Sequence, residues 1–404
     1  MATVSKRQPK AVPSENHVPP SAGATTPAPA AQSVQAKFAA CRRELAAALI
    51  ERDAEIDLVL TALVANENPL LLGPPGVGKS FLIDNLLGWV DGATKFSWLL
   101  GKFSEPNEIF GPLDLVQLKA GRQVRVTAGK LPEAHLAFID EIFKANTAIL
   151  NTLLPLMNER IYYEGAGARK IPLRLLLSAS NEVPQGEELS ALWDRFLLRK
   201  FVRPVVTLAG KRRLRRREGL TPKFSTTITL AEIDQATAAA KALPVSNDAW
   251  DAQEAILHEL TKPGGEGIIP SDRRQSKSMD IARAFAWLDG ASEVQPTHLE
   301  IFAHVLWDDA NEHPEKVAKV VAKIANPIGM QVNSASIEAE EILAGVNIAD
   351  LKAAAVATQK LTDLGVRLIP HKGDPRVAKL QTYLREQIED IRRGSFRGVV
   401  ATNF

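Results

Sequence analysis

The chain has 404 residues, 45% of them hydrophobic and 24% charged, with a formal net charge of +2. That length allows two or three domains, and the near-neutral balance argues neither for nor against a polyanionic partner. A single cysteine, Cys41, excludes an intrachain disulfide and a cysteine-based zinc site, which suits a reducing compartment.

Residues 1–33 are rich in Pro, Ala, Ser and Thr and hold no aromatic residue. Such a stretch buries too little apolar surface to offset its ordering entropy, so a disordered tail is expected. From Val34 the apolar residues recur at helical spacing and lead into "PLLLG", a short apolar strand. Three more runs read as buried parallel strands: "KFSWLLG" (95–101), "LAFIDE" (136–141) and "RLLLSASN" (174–181). Helical patterns separate them, notably "NTAILNTLLPLMNER" (146–160). Alternating strands and helices predict a doubly wound α/β domain over residues 34–205. A basic linker (206–225), a smaller all-helical domain (226–310) and a helical C-terminal extension (311–404) are expected to follow. No apolar run reaches the roughly 18–20 residues of a membrane span, and the N-terminus lacks a signal peptide's apolar core. A cytoplasmic protein is the reading.

"GPPGVGKS" (Gly73, Pro74, Pro75, Gly76, Val77, Gly78, Lys79, Ser80) has the spacing of a phosphate-cradling loop, with a strand before it and a helix after it. Its glycines let backbone N–H groups face phosphate oxygens, and the helix N-terminus adds a positive dipole end. Lys79 can reach the β- and γ-phosphates, and Ser80 can offer its hydroxyl to Mg²⁺. "LAFIDE" ends an apolar strand in two carboxylates. Asp140 suits a Mg²⁺ ion held through water, and Glu141 suits a water activator. No guanine-selecting box is present, so the nucleotide expected is ATP. Asn181, at the tip of the next strand, can orient the attacking water.

Arg195, in "LWDRF", is a candidate to project from one subunit into its neighbour's nucleotide site, with Arg199 as the rival. In "PSDRR", Ser271 reads as an N-cap. Arg273 in the first helical turn opposes the helix dipole, which suggests a task such as contacting the γ-phosphate from the lid, with Arg274 as the alternative. "KRRLRRR" packs six cations into residues 211–217. A solvated linker helix is the preferred reading. A nucleic-acid-dependent ATPase using that run is the rival, marked by steep salt dependence, and a nucleotide-gated scaffold is a third.

Taken together, "GPPGVGKS", "LAFIDEIFKA", "SASNE", "LWDRF" and "PSDRR" resemble a MoxR-family AAA+ ATPase, with most similarity to the RavA type, over roughly residues 45–310. The resemblance implies a core and lid with Lys79 and Ser80 in Walker A and Asp140 and Glu141 in Walker B. It makes Asn181 sensor 1, Arg195 the trans finger and Arg273 sensor 2. It further implies a hexameric ring that remodels or matures client proteins beside a partner with a von Willebrand factor A (VWA) domain. Residues 104–130 would form a helix-2 insert with a small β-turn. Residues 160–174 would form a hairpin turning at Gly165 and Gly167, with Tyr162 and Tyr163 either touching a client or packing on the domain. RavA-type proteins carry a discoid domain in their C-terminal region, whereas residues 311–404 resemble it weakly.

Overall fold

The computed structural model describes residues 33–401 apart from 166, 185, 187–188 and 347–349. The predicted tail, Ser33 excepted, lies outside the described residues.

Two helices, α1 (Val34–Ala48) and α2 (Asp53–Ala65), precede β1 (Pro69–Leu72), α3 (Lys79–Trp89), β2 (Val90–Asp91) and β3 (Lys95–Leu99). Two short helices, α4 (Pro106–Phe110) and α5 (Leu115–Lys119), lead to β4 (Leu136–Asp140) and α6 (Thr147–Asn158). A hairpin of β5 (Ile161–Glu164) and β6 (Gly167–Lys170) comes before β7 (Leu175–Ser180), α7 (Ser190–Arg195) and β8 (Leu198–Phe201). The five long strands form one parallel sheet in the order β3-β4-β7-β1-β8. All four residues of β1 and all six of β7 are buried, as strands covered on both faces must be.

The four predicted strands are present, and a fifth, β8, joins them at the sheet edge. It hides in the sequence because Arg199 and Lys200 break its apolar run. The segment 104–130 holds α4, α5 and a small antiparallel pairing at Leu113 and Arg125, closed by backbone hydrogen bonds from Asp114 N to Val124 O and from Val126 N to Pro112 O, each 2.8 Å. Gly111 there has φ +95°, and a Cβ would sit 1.9 Å from the Val126 carbonyl oxygen, so the loop closes only on glycine.

The basic helix α8 (Leu208–Arg216) carries the chain to β9 (Ile228–Thr229), which pairs with β2, and then to α9 (Leu230–Lys241), α10 (Asn247–Thr261) and α11 (Asp272–Leu288). Thr229 and Glu232 form a capping box that starts α9. Phe38 of α1 meets Trp89 edge-on at 5.0 Å and Trp287 of α11 at 5.4 Å, so α1 fastens the helical domain to the core.

Helix α12 (His313–Ala325) packs on the 3-10 helix Pro296–His304, and its Val317, Val320 and Val321 belong to the main hydrophobic core. The lid therefore runs past residue 310. A separate core, which includes Ala339, Leu361, Leu364 and Val377, joins α13 (Pro327–Gly345), α14 (Leu351–Arg367) and α15 (Pro375–Ala401) into a bundle.

Candidate functional site

The C-terminal ends of β1, β4 and β7 bring the first set of predicted residues together. Gly73, with φ +148°, passes so close to β8 that a Cβ would lie 2.5 Å from the Val202 carbonyl oxygen. The exposed loop then turns into α3, which begins at Lys79. Lys79 is buried, and its Nζ donates to Gly73 O at 2.6 Å, Pro74 O at 3.0 Å and Asn181 Oδ1 at 2.7 Å. Burial pulls its ammonium below the ordinary value, and Asp140 and Glu141 pull it back. Ser80 Oγ lies 3.4 Å from Asp140 Oδ2. Arg52 steadies the loop from beneath, donating to Val77 O and Arg203 O at 2.9 Å each.

Glu141 is buried and sits in the left-handed region at φ 55°, an uncommon conformation for a residue with a side chain. That backbone aims it away from the strand. Its Oε1 accepts from Asn181 Nδ2, and its Oε2 lies 3.4 Å from Lys144 Nζ. Lys79, Asn181, Glu141 and Lys144 thus form one chain of contacts, with the water-activator candidate in the middle. Lys144 escaped the sequence reading; its only signal is its place three residues after Glu141, at the end of a short 3-10 turn.

Beside Gly76 and Gly78 lies a cavity of about 370 Å³, lined by Leu49, Ile50, Val77, Val205, Lys211 and Leu214. Its walls suit an adenine ring next to the phosphate loop. The basic run forms one wall as α8, whose Thr207 cap is fixed by Glu51. Arg213 is spent on the carbonyls of Ala47, Glu218 and Gly219. The run forms a helix between β8 and β9, with Arg212, Arg215, Arg216 and Arg217 exposed.

The predicted arginines lie elsewhere. Pro69 pairs with Leu198 and Leu72 with Phe201 in parallel register. Arg195, three residues before Leu198, therefore stands at the opposite end of the sheet from the phosphate loop. It shares that end with Glu159 at the close of α6, and with Arg273; burial first, then repulsion from Arg273, pulls its guanidinium below the ordinary value. Lys277, one turn after Arg273, pairs with Glu67 just ahead of β1 at 2.6 Å. The expectation that Arg273 reaches its own subunit's γ-phosphate from the lid is thus not met: α11 packs on α2 and α9, and its first turn bonds to α7, away from the cleft. Both arginines are half-buried, and the Nε of each finds no hydrogen-bond partner among the described residues.

Arg199 and Arg274, the rival candidates, are fully buried and cannot project anywhere. Arg199 lies between Trp193 and Trp307, and Arg274 is bound to Asp308 and backbone carbonyls. In the hairpin, Tyr162 is buried against Phe110 and Arg169, which removes it as a client contact. Tyr163 is exposed. Glu188, a conceivable ion-pair partner for Arg195, lies outside the described residues. No helix among the described residues is long and apolar enough to cross a membrane.

A family model described as the MoxR domain of the MoxR-vWA-beta-propeller ternary systems matches residues 36–226. A second, described as an AAA lid domain, matches residues 254–321. Two uncharacterized proteins of Methanocaldococcus jannaschii are similar along most of their lengths. One is 40% identical over 73% of this chain and 76% of its own. The other is 39% identical over 70% of this chain and 75% of its own. The crystal structure of a Cytophaga hutchinsonii protein, described provisionally as an ATPase, superposes with a TM-score of 0.58. It is 16% identical and covers 72% of this chain and 95% of its own, a likeness of fold.

Proposed function

The chain belongs to the MoxR family of AAA+ ATPases, and from that premise we propose that it is an ATP-hydrolysing motor. It works as a ring, with each nucleotide between two subunits, and remodels or matures protein clients beside a VWA-domain partner. One observation carries the ring: the phosphate-loop residues and the half-buried Arg195 and Arg273 occupy opposite ends of the same sheet. One copy cannot bring them together, whereas a head-to-tail contact between copies can. The partner class is supported by the ternary systems named for the matching domain. The RavA-type assignment within the family rests on the motif wording.

In this reading ATP enters beside Leu49 and Ile50, and its phosphates meet the loop 73–80. Lys79 leaves Asn181 Oδ1 for the β- and γ-phosphate oxygens. Asn181 then turns its amide to the attacking water, and Glu141 accepts that water's proton on a carboxylate oxygen. The new oxygen–phosphorus bond forms as the bond to the ADP oxygen breaks. Ser80 Oγ and an Asp140 carboxylate oxygen, 3.4 Å apart, fit Mg²⁺ held by the hydroxyl and, through water, by the carboxylate. When bound, the ion neutralises charge on the phosphate oxygens. Arg195 and Arg273 of the neighbouring subunit stabilise the charge that develops on the transferred group.

The test is the ATPase rate per subunit against protein concentration, with particle mass measured on the same samples with and without ATP. The expected result is a rate that rises as the ring assembles. A constant rate from a monomer overturns the shared site and directs attention to nucleic-acid stimulation through Arg212, Arg215 and Arg217.

A further inference from the structure

Two fully buried guanidiniums lie behind the arginine face, and one carboxylate joins them. Arg199 stands 4.2 and 4.4 Å from the ring centroids of Trp193 and Trp307. Its Nη2 is 3.5 Å from Asp308 Oδ1. Its Nε and Nη1 have no hydrogen-bond partner among the described residues, consistent with N–H groups covered by aromatic faces. Arg274 Nε donates to the same Asp308 Oδ1 at 2.9 Å, and its Nη1 to Val305 O at 2.9 Å. The remaining N–H groups point at the carbonyls of Trp193, Phe196 and Leu197, each 3.4 Å away.

The arrangement is costly. Two like charges without solvent repel, and breaking such a network by removing its counter-ion is strongly destabilising to its geometry. Asp308 is the carboxylate within hydrogen-bond reach of both. Its backbone oxygen also accepts from Trp193 Nε1 at 2.9 Å. Asp194 adds a second link, accepting from Ser271 Oγ at 2.8 Å. The contacts run from α7, through the strand edge at Leu197, to the first turn of α11 and the segment 305–308. Arg195 follows Asp194 directly, and Arg273 precedes Arg274. The two candidates for work in a neighbour's site are thus each one residue from the network.

We propose that Asp308 is the positioning residue of the trans-acting arginines: through Arg199 and Arg274 it locks α7 to α11, so that Arg195 and Arg273 reach the neighbouring subunit's γ-phosphate as one unit. This rests on the reading that both arginines act in trans. It assigns Arg199 and Arg274 a purely internal task and explains why a core element and a lid element of one subunit place two buried guanidiniums around one half-exposed carboxylate. Asp308 touches no nucleotide of its own.

Complementation in mixed rings separates positioning from plain structure. Full-length Lys79→Ala, Arg195→Ala and Asp308→Asn are assayed alone and in equal mixture with Lys79→Ala, with binding of a fluorescent ATP analogue measured for each. Asp308→Asn is expected to bind the analogue within roughly threefold of wild type and to turn over at least about tenfold more slowly. Mixed with Lys79→Ala it regains turnover, because one subunit lends an intact phosphate loop and the other an intact arginine pair. If Asp308→Asn fails to bind the analogue, Asp308→Ser, which also removes the charge, takes its place. Should Arg195→Ala stay silent in the mixture, the trans reading itself falls. Should Arg195→Ala regain turnover while the nucleotide-binding Asp308 variant does not, or should that variant alone match wild type, Asp308 is no positioning residue.

Discussion

Glu141 is the residue whose chemistry and conformation disagree most with an ordinary strand end. Its left-handed backbone and two occupied carboxylate oxygens mark a group held ready. Glu141→Gln keeps the shape and the Asn181 contact but cannot take a proton. The expected outcome is ATP affinity within roughly threefold of wild type, turnover slower by at least about tenfold, and a more persistent ring. Equilibrium binding and single-turnover hydrolysis measure it, and near-normal turnover removes Glu141 from the proposed role. A second residue predicts a pH dependence. Burial, then repulsion from Lys200, pulls the His304 imidazole down to about 3, and its Nε2 lies 3.5 Å from Lys200 Nζ. An unfolded histidine titrates near 6.5, so between about pH 3 and 6.5 the unfolded chain binds the extra proton. The stability that neutral His304 contributes is therefore present above pH 6.5 and lost as the pH falls toward 3. Between pH 7 and 5 the stability of the wild type should drop about 1–2 kcal/mol more than that of His304→Gln in urea titrations; parallel curves refute the assignment.

Among the elements, the junction of α6, the hairpin and β1 depends on one side chain. Arg160, at φ 56°, donates to Asn68 Oδ1 and Met157 O at 3.0 Å each and to Asn66 O at 3.2 Å. Burial pulls its guanidinium down to about 10. Arg160→Met removes the guanidinium donor from Asn68 Oδ1 and Asn66 O, leaving Met157 O only Asn68 Nδ2 at 3.1 Å, and should cost about 2–4 kcal/mol in chemical denaturation, with Arg160→Lys recovering part; a loss within experimental error contradicts the pinning role. The same contrast between local and distant causes explains what the sequence disclosed. The phosphate loop and the two carboxylates were legible because their chemistry needs fixed neighbours: glycines to expose N–H groups, and a lysine and a hydroxyl at the helix start. The left-handed turn of Glu141 and its contact with Lys144 are also local, yet no residue type announces them. β8 and the fate of Arg199 were not legible, because Trp307 and His304, which cover its two cations, lie over a hundred residues further on. Residue type likewise could not tell Arg273 from Arg274, since only the contacts of the first turn of α11 with residues 193–197 and 305–308 decide which of two adjacent arginines is buried.

At the scale of the whole molecule the hydrophobic residues divide into two cores, and the boundary falls just after α12. Ala325 is the last residue of the main core in chain order, and Ala335 is the first of the second. Among the polar links across it, Asn326 Oδ1 accepts from Arg376 Nη2 at 3.0 Å, and Asn326 Nδ2 donates to Glu300. Separate cores imply separate cooperativity, since each buries its apolar surface without the other. None of the phosphate-loop residues, the cavity beside the phosphate loop or the arginine network draws on α13, α14 or α15. A chain ended at Asn326 is therefore expected to fold, to keep ATP affinity within roughly threefold of the full chain, and to keep the main thermal transition within a few degrees. Calorimetry and nucleotide titration on the shortened chain check this. A shortened chain that binds ATP yet no longer assembles would make the bundle part of the ring contact, whereas one that cannot bind ATP would show that the two cores are a single cooperative unit.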